Sequence, residues 1–511
     1  MTPKQVTPKT RQGTADFCLR AGAGKVEITN QEPGVAVADP FFVRALVLDD
    51  GTTRALVLAL DVTAIGGREI SDGMLPDIGE DFLPALRRRL QDECRISAGN
   101  ILINASHTHP PGRMLCNDQE QLERTVQAVQ QAVANLEPVR TGAGTGKEER
   151  IAMNRTLRLR NGRQWTIRHS NPSPPPDQVS GSGPLDTSLG VLRVDRLDGT
   201  PLALLFNFAC HPLFGNYDGR LTANFPGYAA RIIEEQLGHG AIALFIQGAA
   251  GDVCDLTFKD FDRPRNVAVL GEYLAESALQ TRAGIQTTAA GLKMITREML
   301  LPRRTDIEQR LELLRQEQRT LLASLRFTTL NWESFLSLCQ RYGCPGLVPA
   351  LQGERRPAQA ETSPESADRQ AFDSRNMEKY VRNIRAMETL ARIEDDMATL
   401  AKHAAINARA GNAMVAAELV ALNIGDCLLL GVPFEALTQI GLKIKQMSPF
   451  AHTFVAAYSN GYLHYGAPAE DYDKGGYEVT ECLLAPEWQD EFEKNTRQIF
   501  QSLLDSQCTC G

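Results

Sequence analysis

Asn104-Ala105-Ser106-His107-Thr108-His109-Pro110-Pro111-Gly112 is the stretch that decides how this chain is read. It follows Ile101-Leu102-Ile103, a short apolar run expected to form a buried strand. Two imidazoles therefore stand where a strand ends and a Pro/Gly turn begins. A rigid element can hold such donors while the loop leaves them accessible. Residues two apart on a strand face the same side, so both rings are expected to point into one cavity. Two surface histidines beside a turn would give the same pattern, so the rest of the chain must choose.

The chain has 511 residues, enough for more than one domain, and a net charge of −8. That balance gives no nucleic-acid footprint. No apolar run is long enough to span a membrane, and the polar start, Met1 to Asp16, lacks the apolar segment of a signal peptide. Eleven cysteines without framework spacing fit a reducing compartment better than a disulfide scaffold. A cytoplasmic location is the default expectation, a trimmed secreted chain being the other possibility.

Working outward, Phe17 to Thr29, Phe41 to Leu48 and Ala55 to Leu60 read as strands. Asp61 then serves a site or caps a helix, with structural use favoured. Leu75 to Asp92 and Asp118 to Leu136 carry apolar residues at helical spacing. Alternating strands and helices argue for α/β layering. Ile151 to Arg158 reads as a strand holding Asn154-Arg155, and Asn171 to Pro184 as a long loop. Leu202 to Ala209 is a strand ending at Cys210-His211-Pro212, and Asn224 is expected to cap the next helix. Ala241 to Ile246 runs into the small-residue loop Gln247 to Cys254, where backbone can approach a ligand. Ala416 to Val432 holds two strands around Gly425-Asp426, then Pro433-Phe434-Glu435. Phe454 to Tyr458 is a strand followed by Asn460-Gly461-Tyr462-Leu463-His464-Tyr465, and Pro486 to Leu504 is a closing helix.

Residues 303–402 differ from their surroundings. Ile307, Leu311, Leu314 and Leu321 form one helical stripe, and Met377, Val381, Ile384, Ala391 and Met397 contribute to another. The Pro/Glu/Ser-rich stretch Arg355 to Arg369 between them is expected to be mobile. The expected fold class is thus α/β, layered mixed sheets with flanking helices, with an inserted helical subdomain. Its divisions are 17–302 with 403–505 for the catalytic domain, 303–402 for the insertion, and flexible tails at 1–16 and 506–511.

Four apolar strands end in potential ligands: His107, His211, Glu435 and the Tyr462/Tyr465 loop. Imidazole and carboxylate together suit zinc, and a catalytic zinc keeps one position open. Each residue alone has a plain alternative. His211 can be a core histidine and Glu435 a helix-start carboxylate.

The motifs go further. Ser106-His107-Thr108-His109 followed by Pro and Gly resembles the Ser-His-Thr-His-Ser-Gly-Pro-Gly motif of the neutral ceramidases. Asn154-Arg155, Asn207 to Pro212, Asn224 to Ala229, Gln247 to Val253 and Val432 to Glu435 resemble further elements of that family, in the same order. Asn460 to Tyr465 resembles its Asn-Gly-Tyr-x-x-Tyr, with Glu470-x-Tyr472 and Tyr477-Glu478 after it. The resemblance covers about Ala21 to Pro486 apart from the helical insertion.

It implies the neutral ceramidase-like catalytic domain and one zinc per chain, held by His107, His211, Glu435 and Tyr465. It places His109, Arg155 and Tyr477 along the scissile amide of an N-acyl substrate, ceramide or ceramide-like, small molecule or lipid. A zinc-activated water would be the nucleophile, Arg155 and Tyr477 donors to the oxyanion, and His109 the proton shuttle. Three features depart from the family. Cys254 stands where the family has serine, read as a small pocket residue ahead of a nucleophile. The chain stops before an immunoglobulin-like C-terminal domain would fit. There is no secretion signal, and the helical insertion is extra. A zinc-dependent hydrolase of an ester, lactone or glycosidic bond is the rival reading, and a non-catalytic zinc-binding protein the third.

Overall fold

The computed structural model describes residues 19–67, 78–109, 117–167, 174–213, 219–255, 266–344 and 364–508. The leader Met1 to Asp16, the turn Pro110-Pro111-Gly112, residues 355–363 of the stretch expected to be mobile, and Cys510 lie outside these residues.

An eight-stranded mixed sheet is ordered Ile242–Gln247, Pro201–Phe208, Ser188–Arg196, Glu137–Lys147, Arg20–Glu27, Phe42–Asp49, Arg54–Leu60, Ile101–Ala105. A four-stranded sheet runs Leu292–Pro302, Met414–Ile424, Cys427–Gly431, His452–Ala456. Strand alternation explains how they stack. Leu46, Leu48, Val57 and Leu244 point between the sheets and meet Leu422, Leu429 and Phe454. Val43, Ala45 and Val47 point the other way, onto Phe82, Leu86 and Leu90 of helix Phe82–Cys94 and Val126 and Val129 of helix Asp118–Ala134. Phe206 and Phe208 meet the pair Asn224–Leu237 and Val267–Ala283. Leu428, Leu430 and Val455 face Ile440, Ile444, Phe492 and Phe500 on the far side of the smaller sheet. The result is helices, sheet, sheet, helices: the layered α/β architecture read from the sequence.

Strand ends carry shorter pairings that matter more for function. Glu435–Ala436 lies parallel to Tyr465–Gly466, Glu435 opposite Tyr465. Val253–Asp255 pairs antiparallel with Ala152–Asn154. Gln164–Thr166, Thr156–Leu159 and Val179–Ser182 make a third small sheet.

Several expectations need correction. Asn171 to Pro184 is not all loop: Val179–Ser182 is an edge strand, because backbone pairing with Thr156–Leu159 suffices there without an apolar side-chain pattern. Of the helix expected from Leu75 to Asp92, residues 75–77 lie outside the described residues and Phe82–Cys94 is helical. Asp61 has the favoured structural use: its Oδ2 accepts from Arg44 Nη1 at 2.9 Å and Phe42 N at 2.8 Å. Asn224 is the first helical residue, at φ 60°, and Asp39 reaches in to accept from Ala223 N at 2.9 Å. Cys339 and Cys344 are joined in a disulfide, while Cys94, Cys210, Cys254, Cys427 and Cys482 are buried free thiols.

Residues 303–402 hold helices Ile307–Ser324 and Trp332–Tyr342 and most of the 47-residue helix Pro364–Ala410. Ile307, Leu311 and Leu314 pack on Met397 and Leu400. Pro364 to Arg369, expected to be mobile, is the start of the long helix, and that helix passes through residue 402 unbroken. No helix among the described residues is long and apolar enough to cross a membrane.

Candidate metal centre

Two backbone devices bring the histidines together. The strand Ile101–Ala105 ends before His107, which sits at φ 60° in the left-handed region. The expected convergence of His107 and His109 therefore does not come from strand alternation, which requires extended backbone. It comes from a turned loop pinned by His107 N to Val62 O and Ser106 N to Leu60 O, both at 2.9 Å. The His107 and His109 rings stand perpendicular with centroids 4.5 Å apart. His211 enters from the end of Pro201–Phe208 and bridges Cys254 through backbone pairing.

His107 and His211 are held in the same way. His107 Nδ1 lies 2.7 Å from Thr63 O; His211 Nδ1 lies 2.5 Å from Ala250 O and 3.1 Å from Val253 O. A carbonyl only accepts, so each Nδ1 carries a proton, and Nε2 is the nitrogen each ring turns inward. Both Nε2 atoms face Glu435 Oε2, at 3.3 Å from His107 and 2.9 Å from His211. Tyr462 donates to the other oxygen, Oε1, and the Tyr458 hydroxyl lies 3.4 Å from Oε2. Tyr458 also stacks on His107, centroids 4.2 Å apart.

The imidazoles hold the buried Glu435 carboxyl well below the usual range, against burial. Burial pushes His211 down to about 4, with Arg155 acting in the same direction and Glu435 opposing. His109 is also pushed well below its ordinary value, by burial and then by the neighbouring histidines. A cation needs neutral imidazoles and an ionised carboxylate, and His109, His211 and Glu435 are each shifted in that direction. The Nε2 atoms of His107 and His109 are buried without a hydrogen-bond partner. His107, His109 and His211 each offer a ring nitrogen within 4.8 Å of the others. Orphaned lone pairs around a carboxylate fit a divalent metal, and carbonyl-fixed Nδ1 atoms are the usual outer support of such ligands.

Tyr465 lies beside Glu435 in the short parallel pair, and its hydroxyl accepts from Arg155 Nη2 at 2.9 Å. Arg155 is buried and anchored by Glu478 Oε1 at 2.9 Å and Gly251 O at 2.7 Å. Glu478 also accepts from Thr166 Oγ1 at 2.6 Å. Tyr477 is half-buried and meets the Tyr465 ring edge-on at 5.5 Å. Gly251 is required where it is: a Cβ there would come within 2.7 Å of Glu435 O. Cys254 is 1 % exposed, and burial pushes its thiol up to about 12, so it stays protonated.

All eight candidate residues thus surround one buried centre. Tyr458, Thr63 and Glu478 also shape it and were not singled out as site residues. Tyr458 had a signal, an aromatic at the end of an apolar strand. Thr63 acts through its carbonyl, which side-chain chemistry cannot reveal. A cavity of about 390 Å³ lies behind Gly461 and Tyr462, between Leu83, Arg303 and Ile406; none of the eight residues lines it.

The long helix borders this centre. Arg392 lies over the Trp165 ring at 4.5 Å, one residue from Thr166, the donor to Glu478.

No family model matches the chain. Among solved structures it is similar to the neutral ceramidase from Pseudomonas aeruginosa, with 16% identity, a TM-score of 0.57, and coverage of 94% of this chain and 74% of that one. It is similar also to a ceramidase complexed with C2, with 15% identity, a TM-score of 0.60, and coverage of 96% and 76%. At these identities the likeness is one of architecture, and the chain has a neutral ceramidase-like fold.

Proposed function

We propose that the protein is a zinc-dependent hydrolase that cleaves the amide bond of an N-acyl substrate, ceramide or a ceramide-like compound. The observation that carries this reading is the convergence of His107 Nε2 and His211 Nε2 on one oxygen of Glu435. His107, His211, Glu435 and Tyr465 would hold the zinc. When bound, the metal would polarise the amide carbonyl and make a water more acidic.

The remaining residues supply what a metal alone does not. Arg155 is fixed on three sides, so its charge is preorganised for an oxyanion without reorientation. Tyr477 has a hydroxyl that can donate from the half-exposed side. His109 moves a proton at Nε2, from the attacking water to the leaving amine. Cys254 serves as a small wall of the pocket. Residues 303–402 act as an insertion bordering the site, and Arg392 on Trp165 is where it would influence substrate entry.

The test is metal analysis of the purified protein together with hydrolysis of matched N-acyl amides and esters. Zinc-dependent release of amine supports the reading. Ester turnover with no amide turnover would replace the amide by the ester reading, and a zinc-loaded protein inert on both would leave a binding protein.

A further inference from the structure

The cavity behind Tyr462 lies where several parts of the chain meet. Ile65 comes from the loop after strand Arg54–Leu60, Leu83 from helix Phe82–Cys94 and Ile406 from the long helix Pro364–Ala410. Val415, Leu463 and Leu484 complete its apolar wall. Gly66 keeps space open on one side, since a Cβ there would meet nothing within 4 Å. Ligand sites form by preference at such junctions, from apolar walls and a few polar groups.

The polar groups here are unequal. Asn460 is committed to the backbone, donating to Ile101 O at 2.7 Å and accepting from Ile103 N at 2.8 Å. Glu80 is exposed at the rim, where water and salt screen its charge. Arg303 is half-buried on the wall. Its Nε donates to Asn412 Oδ1 at 3.2 Å and its Nη1 to Asn407 Oδ1 at 3.4 Å. Both acceptors are neutral amides. Arg44, Arg155 and Arg304, which are also buried, each meet a carboxylate. Among the described residues no carboxylate pairs with Arg303, and burial alone acts on its basicity, lowering it. A partly desolvated cation without a counter-charge is costly, and an anionic ligand would supply one.

We propose that this cavity binds a medium-length aliphatic carboxylate, its head on Arg303 and its tail among Ile65, Leu83, Ile406 and Leu484. A planar guanidinium matches a carboxylate, and one cation among apolar walls balances a single negative charge. The volume of about 390 Å³ fits roughly a dozen heavy atoms, at about 30 Å³ each as in liquid water, which is the size of decanoate. The site goes beyond the hydrolase reading, because none of the residues proposed for hydrolysis lines it. Tyr462 forms part of its wall and donates to Glu435, so the ligand would rest against a support of the metal centre.

The experiment is calorimetric titration of the full chain with decanoate, and separately with decanol, which has the same tail without the charge. Decanoate should bind saturably at one equivalent through this cavity, and more tightly than decanol. Arg303→Gln should weaken decanoate about 10–100-fold, the worth of a charge-assisted hydrogen bond, and leave decanol unchanged. Leu83→Trp, which fills the cavity, should abolish binding of both. A carboxylate can also bind a metal at the hydrolytic centre, so the titration is repeated on His211→Ala, where decanoate binding should persist. Should Leu83→Trp fail to fold, Arg303→Gln and the decanol comparison decide. Decanol binding as tightly as decanoate, unchanged binding in folded Leu83→Trp, or loss of binding in His211→Ala overturns the proposal. The last of these results would place the ligand at the hydrolytic centre and leave the hydrolase reading standing.

Discussion

Arg155 donates to the Tyr465 hydroxyl while its Nε holds Glu478, so one guanidinium links a candidate ligand to a buried carboxylate. Arg155→Met should therefore fail in two ways. Loss of the oxyanion partner should lower kcat about 10²–10³-fold. Leaving Glu478 charged and unpaired should cost about 3–5 kcal/mol of stability. Adding Glu478→Gln should restore much of the melting temperature and none of the rate. Recovery of activity in the double variant would show that Arg155 is only a structural partner.

Tyr462 supports the metal centre from behind, through Glu435 Oε1. Tyr462→Phe should weaken zinc binding about 10–100-fold, the usual cost of losing an outer support. Competition against a chelator of known affinity measures it. His211→Ala should abolish hydrolysis and bring the count at this centre to zero.

The pH dependence follows from His211, whose pKa is pushed from 6.5 to about 4, chiefly by burial. The folded protein keeps this ring neutral where the unfolded chain takes up a proton. This contribution to metal-free stability is therefore complete above about pH 6.5 and falls as the pH drops toward about 4. Zinc should stay bound through mildly acidic pH and leave only as His211 protonates. Metal release centred near pH 6.5 would contradict the assignment.

Cys254→Ser should retain hydrolysis within a few-fold. The native thiol is buried and protonated, so iodoacetamide should label it only after unfolding. A thioester trapped on Cys254 during turnover would make it the nucleophile instead.

The helical segment can be shortened where it already closes on itself. Arg326 and Asn383 exchange hydrogen bonds, Arg326 N to Asn383 Oδ1 at 3.1 Å and Asn383 Nδ2 to Arg326 O at 2.6 Å. Replacing residues 327–382 with a short Gly/Ser linker should leave the zinc content of the hydrolytic centre unchanged while changing KM or oligomeric state. Arg392→Ala, which releases Trp165, should raise KM more than it lowers kcat. Loss of zinc in the folded, shortened protein would mean that this segment is integral to the centre.

Periodicity and residue type determined much of this protein before any coordinate. Val43 to Leu48, Ala55 to Leu60 and Ile101 to Ala105 are buried strands because runs this apolar, broken only by Arg44 and Asn104, are covered on both faces in a layered sheet. Chemistry at the strand ends then singled out His107, His211 and Glu435, since a histidine or carboxylate after an apolar run is costly without a partner, together with the Tyr462/Tyr465 loop, within which the family resemblance implied Tyr465. What tertiary structure alone decided is how those ends meet. The left-handed turn at His107, the carbonyls of Thr63 and Ala250 that select each tautomer, and Tyr458 stacked on His107 are contacts between residues distant in the chain. The joining of Cys339 to Cys344 and the passage of the long helix through residue 402 to His403 were equally hidden. Local sequence records which groups need a partner; only packing decides which partner each one gets, because that choice is made by shape and distance across the core.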